Sequence, residues 1–417
     1  MTTMRSRKAS IALVLAVVYV DMLGIGLAFP ILPRLVQQFE HGDVSRAAWI
    51  YGLLAAAYAL MQFILAPMLG ALSDRFGRRP VLLLSLLGMG LNYAVLAAAP
   101  SLAWLVAGRI VAGAMGASYS TASAYLADIT PPEKRAQSFG LIGAAFGFGF
   151  ITGPALGGLL GDIDLRLPFV VASVLSFANL AFGYFILPES LAPENRKDFS
   201  LARANPVGAL GTIGRYPAIA GLLIVFVLAT FANKVAETTW VLFATYKFHW
   251  TAASVGLSLA MVGVMFVIGQ GGLVRIVVPR LGERRSILLG LFVSAVVVVL
   301  YGSVPRGWMV YPVMVLALFG WTIAQPASMG VMSRTLPADE QGLLQGGIAS
   351  VNSLAAVVGP PVWTSIFAYF VGPSTPVVVP GAAFDGAALV FLIALVVAAR
   401  TLPAERIGVV ALADTGT

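Results

Sequence analysis

Gly70-Ala-Leu-Ser-Asp74-Arg75-Phe-Gly77-Arg78-Arg79-Pro80 lies between two long apolar stretches, residues 48–72 and 80–99. A dense basic turn between two runs long enough to cross a bilayer ends one span and starts the next. It also fixes where the turn sits, because Lys and Arg beside span ends are retained on the cytoplasmic side.

Outward from this turn the pattern recurs along the chain. A hydrocarbon core of about 30 Å needs about 20 apolar residues in a helix. Runs of that kind fall near 10–36, 48–72, 80–99, 102–127, 136–160, 167–187, 217–245, 253–277, 284–303, 308–333, 342–370 and 381–400. They form two sets of six around the longest polar stretch, Pro188 to Arg215, which holds Glu189, Glu194, Arg196, Lys197, Asp198 and Arg203. The expected architecture is an all-α membrane protein of twelve transmembrane helices in two pseudo-symmetric six-helix bundles. The bundles comprise residues 1–187 and 217–417, and a cytoplasmic linker, 188–216, joins them.

Composition excludes the main alternatives. Of 417 residues, 59% are hydrophobic and 11% charged, with mean hydropathy +0.91; soluble domains carry about 25% charged residues. The net charge of +8 is gathered in short turns between spans, which argues against a nucleic-acid partner. There is no cysteine, so no disulfide, thiol nucleophile or Cys-based metal site. His41 and His249 fall in predicted loops, which leaves no His-based metal centre. No constellation of an enzyme emerges. The first apolar run, after Arg5-Ser-Arg7-Lys8, exceeds a signal-peptide core and reads as a transmembrane helix.

The 26 Lys and Arg set the orientation. Nineteen fall on the side shared by both termini and the linker. Five (Arg34, Arg46, Arg166, Lys247, Arg306) fall on the other, and Arg109 and Lys234 lie within spans. Both termini and the linker are therefore expected in the cytoplasm. The halves also repeat. Thr130-Pro131-Pro132-Glu133, Gly140 and Gly153-Pro154 return as Leu336-Pro337-Ala338-Asp339, Gly346 and Gly359-Pro360 at an offset of 206 residues. Asp74 to Arg79 returns as Pro279 to Arg284 at an offset of 205. Transporters built from such repeats hold substrate at the interface between halves.

A few polar side chains inside spans are candidates for chemistry. Asp21 lies about 17 Å into the first span, where a carboxylate facing lipid costs about 2.5–3.5 kcal/mol. It fits a proton carrier, or a structural hydrogen bond to a neighbouring helix. Arg109 in the fourth span keeps its proton and needs an acceptor, for which Asp21 is the best candidate by depth. Lys234 and Glu237 share a face of the seventh span at i, i+3, towards its outer end. They suit a rim salt bridge, substrate binding or, for Glu237, proton relay. Trp240, Tyr246 and Trp250 read as an interfacial aromatic belt. Tyr58, Gln62, Asn92, Asn179, Asn233, Gln270, Gln325 and Asn352 can line a cavity or bridge helices. That mixture suits an amphiphilic organic molecule better than a bare ion. Pro30 and Pro33 kink or end the first span.

Several of these segments resemble motifs of the major facilitator superfamily. Gly70 to Arg79 is similar to its loop motif between helices 2 and 3. Arg109-Ile-Val-Ala-Gly113-Ala-Met-Gly116 is similar to its helix-4 motif. Leu23-Gly24-Ile-Gly26-Leu-Ala-Phe-Pro30 resembles its helix-1 exporter motif, and Gly147 to Gly158, with Gly153-Pro154, its antiporter motif. With Tyr58-Ala-Leu-Met-Gln62-Phe, Ala127-Asp128-Ile-Thr130, Phe248-His249-Trp250 and Gln341-Gly342, the likeness extends along nearly the whole chain to the tetracycline-efflux branch of the drug:proton antiporters.

The resemblance implies export of an amphiphilic drug against proton inflow by alternating access. Asp21 and Arg109 would act in coupling and Gln62 and Gln270 in drug contact. The charges of Asp74, Arg75, Arg78 and Arg79 around Gly77 are expected to latch the halves in the outward-open state, or to set topology only. The high Ala, Gly, Val and Arg content points to a bacterium of high genomic GC and so to its inner membrane; a monomer is expected, with a small-molecule drug and the lipid bilayer as partners and no resident cofactor. A magnesium ion would enter only chelated to the drug. Three positions depart: the branch's third-span Asp is Asn92, its eighth-span His is Phe266 and its ninth-span Asp is Ser294. A metal-free neutral, cationic or zwitterionic drug therefore fits as well as a tetracycline–metal chelate. An importer of a small organic acid is the other reading of the same fold, and the Gly153-Pro154 segment argues against it.

Overall fold

The computed structural model describes residues 2–116, 118–197, 217–337 and 341–402, and among them there is no β-strand. Twelve helices are long and apolar enough to cross a membrane: α1 (Ile11–Phe39), α2 (Val44–Phe76), α3 (Arg78–Ala98), α4 (Leu102–Ile129), α5 (Gln137–Ile163), α6 (Leu167–Ile186), α7 (Ala220–Phe248), α8 (Ala252–Leu281), α9 (Glu283–Ser303), α10 (Gly307–Thr335), α11 (Leu344–Val371) and α12 (Ala382–Thr401). All twelve expected spans are present. Of the expected linker, Asp198, Arg203 and the rest to residue 216 lie outside the described residues.

Local sequence explains where spans break. α1 stops after Ala28 and restarts at Leu32 with Pro33 in its first turn; proline has no N–H to lose there. α4 divides between Met115 and Ser118, beside Gly116. α8 contains a π-helical turn, Gly269–Leu273, the wide turn often found at functional sites. The repeat at Gly77 and Gly282 is structural: both glycines link consecutive spans with positive φ, 107° and 78°, a conformation that disfavours a side chain. His41 and His249 lie in turns, as expected.

The two halves meet along two seams, α2 against α11 and α5 against α8. Glycines set both the packing within the first half and the second of these seams. α5 carries Gly149, Gly153 and Gly157 towards α1, and a Cβ on Gly153 would lie 2.7 Å from the Cα of Gly26. On its other side, a Cβ on Gly158 would lie 3.0 Å from backbone atoms of Ala252 and Ala253, and one on Gly256 equally close to Gly158. Further along, Ile151 meets Gly263 and Val267 lies near Gly147. One turn beyond, at Gly143 and Gly271, an added Cβ would meet no described atom within 4 Å.

The seams are therefore closed towards the face opposite the basic loops and open towards the basic face. Cross-half hydrogen bonds gather at that far face. Arg34 donates to the Trp250 carbonyl and to Thr245 Oγ1 (3.2 Å), Ser45 to the Ala368 carbonyl (2.7 Å), and the Ala252 N–H to Asp162 (2.6 Å). At the basic face, ion pairs close within each half: Arg78 with Asp74 and with Asp128 (3.1 Å), and Arg334 with Glu283. Glu189 accepts from the Arg78 and Arg79 N–H groups at 2.8 and 3.2 Å, capping α3 where Gly77 offers no side chain.

Trp240 departs from the expected belt. It is buried, donates to Ser258 at 2.9 Å and stacks among Phe243, Trp250 and Tyr301. Its neighbours are the aromatic rings of packed helices, which satisfy its body and its N–H together.

Gly153→Val should lower the melting temperature in detergent, because its side chain collides with α1 backbone; overpacking of this kind costs about 1–3 kcal/mol. Gly143→Ala, which meets open space, should melt within a degree or two of the parent protein.

Candidate functional site

Asp21 is 3% exposed and sits on α1 facing the break in α4. Ser118, the first residue after that break, donates to one carboxylate oxygen at 2.5 Å. The helix Ser118–Ile129 thus begins beside the carboxylate, and a helix N-terminus favours negative charge. Among the described residues the other oxygen of Asp21 has no hydrogen-bond partner, and the buried Tyr93 hydroxyl has none either. The Tyr93 ring packs against α1 at Gly24, three residues from Asp21.

Arg109 does not reach Asp21, contrary to the expectation from depth. With the Asn92 amide oriented by its neighbours, its nitrogen donates to the Gly108 carbonyl at 2.7 Å and its oxygen accepts from Arg109 at 3.2 Å. The guanidinium also lies over the Tyr58 ring, 5.4 Å from its centroid. A cation on an aromatic face gains about 0.5–2 kcal/mol, so Tyr58 and Asn92 together serve as its seat. Gln62 donates to the Gly116 carbonyl at 3.2 Å, tying α2 to the α4 break.

Two expected cavity residues bridge helices. Asn179 is buried and donates to the Val17 carbonyl at 3.1 Å, joining α6 to α1. Asn92 is 1% exposed and committed to Gly108 and Arg109. Bonded this way, both amides have little left to offer a ligand. In the second half, Asn233 (α7), Gln270 (α8), Gln325 (α10) and Asn352 (α11) are half-buried, and their amides make no hydrogen bond among the described residues. Lys234 pairs with Glu237 at 2.5 Å. It lies just past the middle of the helix Pro217–Phe248, and Glu237 lies further towards the outer end. The polar groups of the first half thus mostly engage one another, while those of the second half keep unspent hydrogen-bonding capacity.

The motif charges Asp74, Arg78 and Asp128 pair within the first half, and Arg75 points outward beside Phe76. Arg79 donates to the Tyr184 carbonyl at 2.5 Å. Phe266 is exposed, whereas Ser294 is buried, donates to the Gly290 carbonyl at 2.8 Å and packs against Gly320. Neither position is placed to bind an ion, and among the described residues no three His, Asp or Glu converge. A recess of about 680 Å³ opens at the far ends of α1, α2 and α7, among Gln37, Val44, Tyr246, Lys247 and Trp250.

Ser118 and Tyr93 were not legible as site residues, since a lone Ser or Tyr in an apolar span is common. The signal that could have found Ser118 is its place two residues after Gly116, where α4 opens.

This arrangement, two six-helix halves around a buried carboxylate and a fixed cation, defines a secondary transporter. The Major Facilitator Superfamily model matches residues 14–360. The chain belongs to that superfamily and groups there with the tetracycline resistance proteins. The class C protein of Escherichia coli is 44% identical over 88% of this chain and 91% of its own length. The class B protein of Escherichia coli is 36% identical over 86% and 88%. Multidrug resistance protein 2 of Bacillus subtilis is 29% identical over 86% and 88%. The fold is similar to that of a bacterial homologue of the human lysosomal transporter Spinster in its inward-facing, unoccupied conformation, with TM-score 0.76, 15% identity, and 95% and 97% of the two chains covered. The chain is a multi-pass membrane protein.

Asn92→Leu should destabilise the protein more than Ser118→Ala, because it takes away the hydrogen-bond acceptor of the half-buried Arg109 guanidinium, and losing a hydrogen bond to a charged group costs about 1.5–3 kcal/mol. Asn92→Asp should melt at or above the parent temperature. Thermal unfolding of the three variants in one detergent checks the order.

Proposed function

We propose that this protein exports an amphiphilic drug of the tetracycline class from the cytoplasm in exchange for protons. One observation carries the exchange mechanism: Asp21 is a buried carboxylate with one oxygen held by Ser118 and the other free. Such a group can take up a proton when the cavity faces one side and release it on the other. Arg109, seated on Tyr58 and Asn92, supplies a fixed positive charge nearby. The relatives named tetracycline resistance proteins support the substrate class. The free amides of Asn233, Gln270, Gln325 and Asn352 are the groups best suited to hold the drug.

The basic face is taken as cytoplasmic, so the cavity here opens inward. Bacterial inner membrane, both termini and the linker inside, bundle boundaries at 1–187 and 217–417 and a monomeric state complete the reading. In the outward-open state the open end of the α5–α8 seam closes in the register already set above it. Gly147 lies beside Val267, so Gly143 comes to Gly271 one turn on. Asp74 and Arg75 then leave their own half's contacts to latch the other half. A drug chelate of magnesium would be cargo, and the substitutions at Asn92, Phe266 and Ser294 favour cargo without metal.

In inside-out vesicles, tetracycline added under a proton gradient should accumulate and draw protons out. Asp21→Asn should cut pH-driven exchange at least a hundred-fold while retaining binding; full exchange in that variant removes Asp21 from coupling. The chain has no cysteine, so Gly143→Cys with Gly271→Cys gives a clean cross-linking pair. Cross-linking should rise in outward-favouring conditions and arrest transport; no cross-link in any condition contradicts the register.

A further inference from the structure

We propose that Lys234 and Glu237 form a subsite that reads both charges of a zwitterionic drug headgroup. This rests on the drug-export reading and specifies its substrate. Lys234 lies 17 and 14 residues from the ends of the helix Pro217–Phe248, about 25 and 21 Å from them. Its ammonium contacts Glu237 at 2.5 Å, yet the Glu237 side chain remains 48% exposed. A carboxylate bare to hydrocarbon at that depth is strongly disfavoured, so its exposed side faces the aqueous seam between halves. Tyr51 of α2, across that seam, is within electrostatic reach of Glu237. The second carboxylate oxygen accepts no hydrogen bond among the described residues.

The packing of α7 on α11 does not require this pair. Gly359 makes room for it: a Cβ there would lie 2.8 Å from Lys234 Cβ. The first half makes the corresponding contact through its own repeat of that glycine, Gly153, which meets Gly26. Neither residue there is charged. The second half thus keeps the repeated glycine but sets Lys234 against it where the first half sets Gly26. An ammonium with three donors and a carboxylate with a spare oxygen offer complementary partners to a ligand bearing an acidic oxygen and an amine. When such a ligand inserts, each charge exchanges one partner for another and neither is left bare. The free amide of the adjacent Asn233 adds a neutral contact.

The test is equilibrium binding to detergent-purified full-length protein, by tryptophan fluorescence, with tetracycline and with its derivative lacking the dimethylamino group. Lys234→Gln, Glu237→Gln and the double variant are compared with the parent, and melting temperatures report folding. Lys234→Gln should raise Kd at least ten-fold for both compounds. Glu237→Gln should raise it at least ten-fold for tetracycline and less than two-fold for the derivative without the amine. The double variant removes both charges with little change of shape and should fold like the parent while binding tetracycline at least ten-fold more weakly. Parent-like affinity in the double variant, or equal losses for both compounds in Glu237→Gln, overturns the assignment. If the parent protein itself binds neither compound, the export reading fails; if it binds tetracycline and the variants match it, only this subsite fails.

Discussion

Arg109 cannot be discharged, and the first half is arranged around that constraint. A guanidinium in the middle of a span must find partners that lipid does not supply. Its partners come from two different helices, Tyr58 on α2 and Asn92 on α3. Asn92 is in turn held by the Gly108 carbonyl, so α3 and α4 are joined at the level of the charge. Gly113 lets α2 approach closely, with the Tyr58 carbonyl and Met61 against it. One turn further on, α4 opens, and Ser118 turns to Asp21. The carboxylate is left near a fixed positive charge without pairing with it, as the proposed proton exchange requires.

The second half solves a different problem on the same scaffold. Its helices are tied by aromatic rings around Trp240 and by the Trp363 N–H donating to the Phe231 carbonyl at 2.9 Å. The amides of Asn233, Gln270, Gln325 and Asn352 make no hydrogen bond among the described residues. On the proposed function, the two repeated halves divide the work: the first would carry the proton and the second would recognise the drug.

The fold was legible because lipid imposes a simple rule on sequence. Span length, basic turns and the repeat at an offset of 206 residues each point to two six-helix halves, and Gly77 and Gly282 occupy equivalent turns. The site was legible in part. Depth in a span identifies Asp21 and Arg109 as costly and therefore partnered, but depth is one coordinate. It does not give the rotation of each helix, which decides that Ser118 reaches Asp21 and Asn92 reaches Arg109. The same limit applies to the amides. Asn179 and Asn352 are alike as polar residues in apolar spans, yet one faces a neighbouring helix and the other keeps its groups free.

The far-face clasp, in which Arg34, Ser45 and Asp162 each bond across the seam, sets a limit on speed. Neutral hydrogen bonds contribute about 0.5–1.5 kcal/mol net and charge-assisted ones about 1.5–3. Four such bonds hold that face shut by several kcal/mol, and each 1.4 kcal/mol on a barrier slows a step about ten-fold. A much stronger clasp would seal the membrane well but make every opening slow. A much weaker one would let protons slip through uncoupled. Of the four bonds, two go to backbone carbonyls, one comes from a backbone N–H and one goes to the Thr245 hydroxyl, so in three of them the second half contributes an atom that side-chain substitution cannot remove.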